Sequence, residues 1–255
     1  MSVTITKHTE TIRILTIDHP PVNAMDQATS VALLEAVGEA SAAPKVRVII
    51  VTGEGKCFVA GADLNELAAC NSQTAISGGD HLRMALAALR NSPKAVIAAI
   101  NGPAMGGGLE LAMSCDMRVA AEKAILGLPE VRLGVLPGAG GTQLLPRLVG
   151  LGRALEMMTT GQSVDAKEAL AIGLIDRLAA KSALDDAICL AEKIAANAPL
   201  AVASIKATTY ATLSLPLADG LSKEKVEFAK LCDTEDKKTG VAAFKARQKA
   251  IFAGR

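Results

Sequence analysis

The sequence predicts an α/β fold that gives way to a helical C-terminal region. Three observations carry this expectation. Short apolar runs alternate with helix-period patterns up to about Asn197, as strands alternating with helices do. Several runs end in glycine-containing turns, such as Gly53 to Gly55 after Val46–Thr52. After Ala198-Pro199 the pattern becomes helical throughout and more charged. The chain of 255 residues is therefore expected to divide into a core, 1–197, and a C-terminal helical region, 198–255.

Val3 to Lys7 and Thr11 to Ile17 read as two strands of a meander. Pro20-Pro21 breaks the chain. Asp26 then caps a helix predicted to bury Val31, Leu34 and Val37. Val46–Thr52 is rich in β-branched residues and reads as a strand. Asp80–Arg90 reads as a helix with Leu82, Leu86 and Leu89 on one face. Ala95–Ile100 is a buried strand, followed by a glycine-rich turn and a helix opened by Leu109, Leu111, Ala112 and Met113. Met117–Ala120 and Ala124–Leu126 read as short strands. From Thr142 the pattern is mostly helical, with Gly173 as a helix stop before a strand around Leu174–Leu178 and a helix over Ser182–Ala196.

Composition narrows the function. With four Phe, one Tyr and no Trp, the chain lacks aromatic platforms for stacking bases. A net charge of +1 gives no general attraction to a polyanion, so no nucleic-acid partner is expected. The five cysteines (57, 70, 115, 189 and 232) are dispersed and odd in number, which fits reduced thiols and a cytoplasmic setting. The N-terminus lacks the pattern of a secretory signal. The most apolar stretch, Ala95–Met113, is broken by Asn101, Pro103, three glycines and Glu110, so no membrane span is expected. His8, His19 and His81 lack metal-ligand spacing and are expected at the surface, with no metal site. Gly138 to Gln143 has glutamine where a dinucleotide fingerprint needs its last glycine.

Three segments carry chemistry. Gly55 to Leu64 leaves a strand through a glycine turn and enters a polar helix start. Asn101 to Glu110 sets three glycines ahead of a helix. Gly127-Leu128-Pro129-Glu130 leads into Pro137 to Thr142. Glycine backbone at 106–108 lets a ligand approach amides that open a helix, lack intrahelical acceptors and sit at the positive end of its dipole. A thioester carbonyl placed there would be polarised, with a second donor from the Gly61-Ala62 turn. Removing one such donor costs roughly a hundred- to a thousandfold in rate. Glu110 lies in the first helical turn, where the dipole is expected to favour its ionised form. Glu130, between Leu128 and Val131, is expected to have a raised pKa suited to carrying a proton. Taken singly, each feature has a plainer use: tight packing for the glycines, a helix-stabilising charge for Glu110, a solvated residue for Glu130.

In this order the segments resemble the crotonase (enoyl-CoA hydratase/isomerase) superfamily, and the likeness covers nearly the whole chain. It includes His19-Pro20-Pro21-Val22-Asn23-Ala24-Met25, Phe58 to Leu64, Asn101 to Glu110, Leu128 to Gln143, and Thr160 through Gly173-Leu174. The resemblance implies a crotonase-type spiral of repeated β-β-α units. It implies an oxyanion hole from the amides of Ala62 and Gly107, with Glu110 and Glu130 as the catalytic carboxylates. Ala24, Ala60, Asp63, Leu64, Asn65, Gly106, Lys249 and Phe252 are expected along an acyl-CoA thioester, whose coenzyme A belongs to the substrate; no other cofactor is implied. Retention of both glutamates favours a hydratase over an isomerase or an RNA-binding relative, and the family implies a homotrimer or a hexamer of paired trimers. Asn65 departs from the lysine that relatives often carry there. Between Gly220 and Arg255, nine Lys/Arg face five Asp/Glu, an excess that would suit coenzyme A phosphates or simply solvated helix faces. The acyl pocket is expected between Leu67 and Leu89, a stretch that suggests a roomy or mobile wall.

Overall fold

The computed structural model describes residues 2–77 and 80–255. Strands β1 (Val3–Lys7) and β2 (Ile12–Ile17) form the expected antiparallel pair, with Val3 opposite Ile17. Helix α1 (Gln27–Ala42) leads to β3 (Val48–Gly53), which runs parallel to β2. Helices α2 (Leu64–Ala69), α3 (Ser72–Ser77) and α4 (His81–Asn91) precede β4 (Ala95–Ile100) and β5 (Ala104–Met105). Next come α5 (Gly107–Met113), β6 (Met117–Ala120), β7 (Ile125–Gly127) and a 3-10 turn over Glu130–Leu133. They are followed by α6 (Gly141–Val149), α7 (Leu151–Thr160), β8 (Ser163–Asp165), α8 (Ala166–Ala171) and β9 (Arg177–Leu178). Helices α9 (Ala183–Ala195), α10 (Pro199–Ala211), α11 (Leu217–Cys232) and α12 (Glu235–Lys245) complete the order.

Two sheets share the chain turn by turn. One has the order β1-β2-β3-β4-β6-β9, the other β5-β7-β8. β4 goes to the first sheet, β5 to the second, and α5 follows; β6 and β7 repeat the step before α6. β3 begins an earlier turn, since Val59 bridges Ala104 before α2. This is the spiral of β-β-α units that the resemblance implied.

Alternation along the strands splits the core in two. Val48 and Ile50, with Ala95, Ile97 and Ala99, pack against α9, while Ile49 and Val51, with Val96, Ala98 and Ile100, face the larger core of α1, α4 and α5. Helix α9 presents Ala183, Ala187, Ala191 and Ala195 at four-residue spacing, all buried. Side chains this small let the helix lie close on the sheet.

The structure corrects several expectations. Asp26 does cap α1, its side chain accepting from Thr29 N at 2.7 Å, but the buried face is Leu33, Ala36, Val37 and Ala40, with Val31 and Leu34 only half-buried. Alanines on both sides of the helix hide which stripe faces inward. The last strand of the first sheet shrinks to Arg177–Leu178, because Leu174 and Ile175 are buried in the core before pairing begins. Residues 246–255 are not helical. Asp236 holds them, accepting from Ala253 N at 2.7 Å and Gly254 N at 2.9 Å. His19 is half-buried, its Nδ1 2.8 Å from the carbonyl oxygen of Ala24, and His81 is half-buried too. Among the described residues no single helix is long and apolar enough to cross a membrane; α9 and α10 pass only as a pair bent by 108°.

Candidate active site

The site gathers where β3 and β4 end, at the carboxyl edge of the parallel strands. Two asparagines build its floor by holding irregular chain in place. Asn101, just past β4, accepts from Gly53 N at 3.2 Å and donates to the carbonyls of Gly55 (3.1 Å) and Cys57 (3.3 Å). Asn23 is buried with a φ of 58°, a left-handed conformation that asparagine tolerates, and donates to Glu54 O at 3.0 Å and Cys57 O at 2.9 Å. Between them they fix the path of residues 53–58, and so the position of the Gly61-Ala62 turn that follows.

Ala62 is exposed and forms a parallel bridge with Met25. In that bridge Met25 N donates to Gly61 O at 2.8 Å and Asp63 N donates to Met25 O at 3.3 Å. The bonds are made by the residues flanking Ala62, which leaves its own amide without an acceptor among the described residues. The amide of Gly107 is in the same condition, as the first residue of α5. The two are neighbours: a β-carbon added to Gly107 would stand 3.7 Å from Ala62 N.

The three consecutive glycines have different reasons. Gly106 has φ 51° and ψ −123°, a backbone state that L side chains rarely adopt. Gly108 is packing alone, since a β-carbon there would fall 2.1 Å from Val59 O. Gly107 is the one whose missing side chain keeps the cleft open.

Glu110 is buried, only 2% exposed, and its Oε1 accepts from Ala139 N at 2.7 Å and Gly141 N at 2.8 Å. Oε2 accepts no such bond from the described residues. Burial pushes its pKa up, opposed by the amides of Gly141 and Ala139 and by the charge of Arg83. The expected preference for the ionised form is therefore not met, because loss of solvent on burial is the largest influence on this carboxyl.

Glu130 follows Pro129 at the start of the 3-10 turn and is half-buried. Its Oε1 would lie 3.1 Å from a β-carbon on Gly106, and its Oε2 is buried without a partner among the described residues. A buried polar atom left unpaired is uncommon and marks a place where a ligand could supply the missing bond. Burial, and then the neighbouring charge of Glu110, push the Glu130 carboxyl up to about 7. The raised value matches the expectation from its apolar flanks.

The remaining expected residues divide into two groups. Ala24 lies beside Met25, and Ala60 donates its amide to Val22 O at 3.1 Å, so both lie beside the Ala62 turn. The carboxylate of Asp63 caps α2, accepting from Asn65 N (2.8 Å) and Glu66 N (3.0 Å), while Leu64 and Asn65 are exposed at the helix start. Lys249 and Phe252 are not brought to this site within the chain. Phe252 packs on Gly240, and its carbonyl accepts from Arg47, which precedes β3 at the opposite end of the sheet. Six strand residues separate that end from the site, roughly 20 Å. Of the stretch proposed for the acyl pocket, residues 78 and 79 lie outside the described residues, and Leu82 reaches within 3.4 Å of where a Gly107 β-carbon would stand.

Arg83 was not singled out in the sequence, and the 137–141 segment was, though not for amides that hold Glu110. The signal for the loop was present as Pro137-Gly138-Ala139-Gly140-Gly141, a run so poor in side chains that its amides are free to bind an anion. Among the described residues no cluster of His, Cys, Asp and Glu could hold a metal. A mostly apolar cavity of about 510 Å³ lies between α6 and α10, lined by Leu144, Leu148, Val202 and Ile205 among others, away from both glutamates.

Comparison with known proteins agrees with this geometry. The sequence profile described as enoyl-CoA hydratase/isomerase matches residues 7–255. The chain is 37% identical to the 2,3-dehydroadipyl-CoA hydratase of Escherichia coli, covering 100% of both chains. It is 39% identical to the short-chain-enoyl-CoA hydratase of Clostridium acetobutylicum, over 93% of this chain and 92% of the other. The crystal structure of an enoyl-CoA hydratase from Bacillus anthracis superposes with a TM-score of 0.96 at 36% identity, covering 100% of both chains. With a profile spanning almost its entire length and relatives matched end to end, the chain belongs to the enoyl-CoA hydratase/isomerase family.

Proposed function

We propose that the protein is an enoyl-CoA hydratase that adds water reversibly and syn across a 2-trans-enoyl-CoA to give a 3-hydroxyacyl-CoA. The observation that carries this reading is the pair of carboxylates withdrawn from solvent, Glu110 and Glu130, beside two amides with no acceptor among the described residues. In the proposed step the amides of Ala62 and Gly107 bind the thioester oxygen. Glu110 Oε2 takes a proton from a water whose oxygen bonds to C3. The alkene electron pair moves onto the thioester as an enolate, and Glu130 gives its proton to C2 as the enolate collapses. Glu110 ends protonated and Glu130 ionised, and one proton passing back resets the pair. A carboxyl with a pKa near 7 serves in both directions, since each protonation state is populated at neutral pH.

The reading takes coenzyme A as part of the substrate, with Ala24, Ala60, Asp63, Leu64, Asn65 and Gly106 lying along it, and calls for no separate cofactor. The exposed apolar side chains of the C-terminal region, Leu217, Phe228 and Phe244 among them, support assembly into a homotrimer or a hexamer. In such an assembly Lys249 and Phe252 would serve a neighbour's coenzyme A. Five free thiols support a reduced, cytoplasmic setting.

Crotonyl-CoA tests the reaction directly. Pure protein should bleach the conjugated-enoyl absorbance and yield 3-hydroxybutyryl-CoA. If it shifts a 3-enoyl-CoA to the conjugated 2-enoyl isomer without hydrating it, the isomerase reading replaces this one.

A further inference from the structure

The first turn of α4 touches both halves of the cleft. Leu82 stands beside Gly107. Next to it, Arg83 donates from Nε to Gly138 O at 2.6 Å and pairs through Nη1 with Asp80 at 3.1 Å. The acceptor carbonyl belongs to the same peptide unit as Ala139 N–H, which donates to Glu110 Oε1 at 2.7 Å. A trans peptide is planar, with its C=O and N–H pointing in opposite directions. Arg83 and Glu110 therefore hold one rigid plate from its two sides. Drawing the carbonyl toward the guanidinium turns the amide toward the carboxylate, and a donor on the carbonyl also polarises the N–H. A second amide, Gly141 N, reaches the same oxygen at 2.8 Å, and the placement of both depends on the path of the 137–141 loop.

We infer that Arg83 is a positioning residue for Glu110, acting through the Gly138–Ala139 peptide rather than by touching substrate. Asp80 neutralises the guanidinium on its outer side, so Arg83 is poorly suited to capture an anionic substrate group. With Oε1 occupied by the loop, Oε2 alone is available to a reacting water, and loss of the Arg83 bond would let the carboxylate swing. The inference rests on the proposed hydratase reading for its consequence and on the hydrogen-bond geometry for its cause.

The test compares wild type, Arg83→Met and Arg83→Lys on crotonyl-CoA, with hydrogen–deuterium exchange followed in the peptide covering residues 137–141. Arg83→Met should lower kcat about tenfold, equivalent to some 1.4 kcal/mol of barrier, with KM within twofold. Its 137–141 amides should exchange faster, and Arg83→Lys, which keeps a charged donor, should recover most of both. Unchanged kcat in Arg83→Met overturns the inference, as does a raised KM at constant kcat, which would make Arg83 a substrate contact. A kcat loss with exchange at 137–141 unaltered overturns it too. If wild type itself does not hydrate crotonyl-CoA, the proposed function fails, and the exchange measurement alone still decides whether Arg83 orders the loop.

Discussion

Ala139 gives its amide hydrogen to Oε1 of Glu110 across 2.7 Å, joining a loop residue to a helix residue 29 positions earlier. The bond determines which oxygen of a buried carboxylate is free to act. It also shows how one site can place two carboxylates in different conditions. Glu110 is held by backbone amides, whereas one buried oxygen of Glu130 has no hydrogen-bond partner among the described residues.

Replacing Glu130 with glutamine should lower kcat roughly a hundredfold or more if the residue carries the proton to C2. A separate effect on stability follows from its raised pKa of about 7 against an ordinary value of 4.5. Ionisation is harder in the folded state, so nothing is lost below pH 4.5, and wild-type stability declines as pH climbs from there through about 7. The amide of the Glu130→Gln variant does not ionise, so its melting temperature should gain on wild type between about pH 5 and pH 8. Scanning calorimetry at both values measures the difference.

The 137–141 loop offers a matched pair of substitutions. In Gly141→Ala the new methyl would meet Pro137 Cβ at 2.6 Å, Leu128 Cδ1 at 2.9 Å and Glu110 Oε1 at 3.1 Å. Overpacking of this kind costs about 1–3 kcal/mol, and it displaces an amide that binds Glu110, so kcat should fall with stability. In Gly138→Ala the nearest atoms are 3.9 and 4.0 Å away, so urea denaturation and steady-state rates should be near wild type.

Lys206 ties the first C-terminal helix to the core. Its ammonium pairs with Asp116 at 2.9 Å and donates to Leu89 O (3.1 Å) and Lys94 O (3.0 Å), while Tyr210 donates to Asp116 at 2.9 Å. Both charged side chains are largely buried. Lys206→Met should cost on the order of 3–5 kcal/mol, because it strands the Asp116 carboxylate away from water. Denaturant unfolding monitored by circular dichroism gives the value; a loss under about 1 kcal/mol would mean that the pair contributes little.

Gly38 lies within α1, and beyond its chain neighbours and its own helix backbone no described atom stands within 4 Å of where a β-carbon would be. Gly38→Ala should therefore stabilise the protein by about 0.5–1 kcal/mol, through helix propensity and a less flexible unfolded chain, with kcat unchanged. Thermal melts compared with wild type would show the gain as a rise of a few degrees.

Much of the architecture was legible in the chain because its signals are local. A β-branched run ended by glycine named β3, a buried apolar run before a glycine-rich turn named β4, and Asp26 and Gly173 marked helix ends through capping chemistry that acts within a few residues. The inward face of α1 was misjudged because alanine on every side erases the contrast between stripes. The non-helical tail was missed because its partners lie outside its own turn, Asp236 at the start of α12 and Arg47 some 205 residues earlier.

The sequence by itself determined that helix-opening amides would stand bare of side chains near two glutamates, since glycine spacing and residue order are written in the chain. The apolar flanks of Glu130 also foretold its raised pKa, whereas only the tertiary structure decided the condition of Glu110. Burial raised the Glu110 carboxyl, the 137–141 loop chose the oxygen it holds, and Arg83 braced that loop from α4. Desolvation and hydrogen-bond geometry arise from atoms that segments distant in sequence bring together, and no local pattern specifies them.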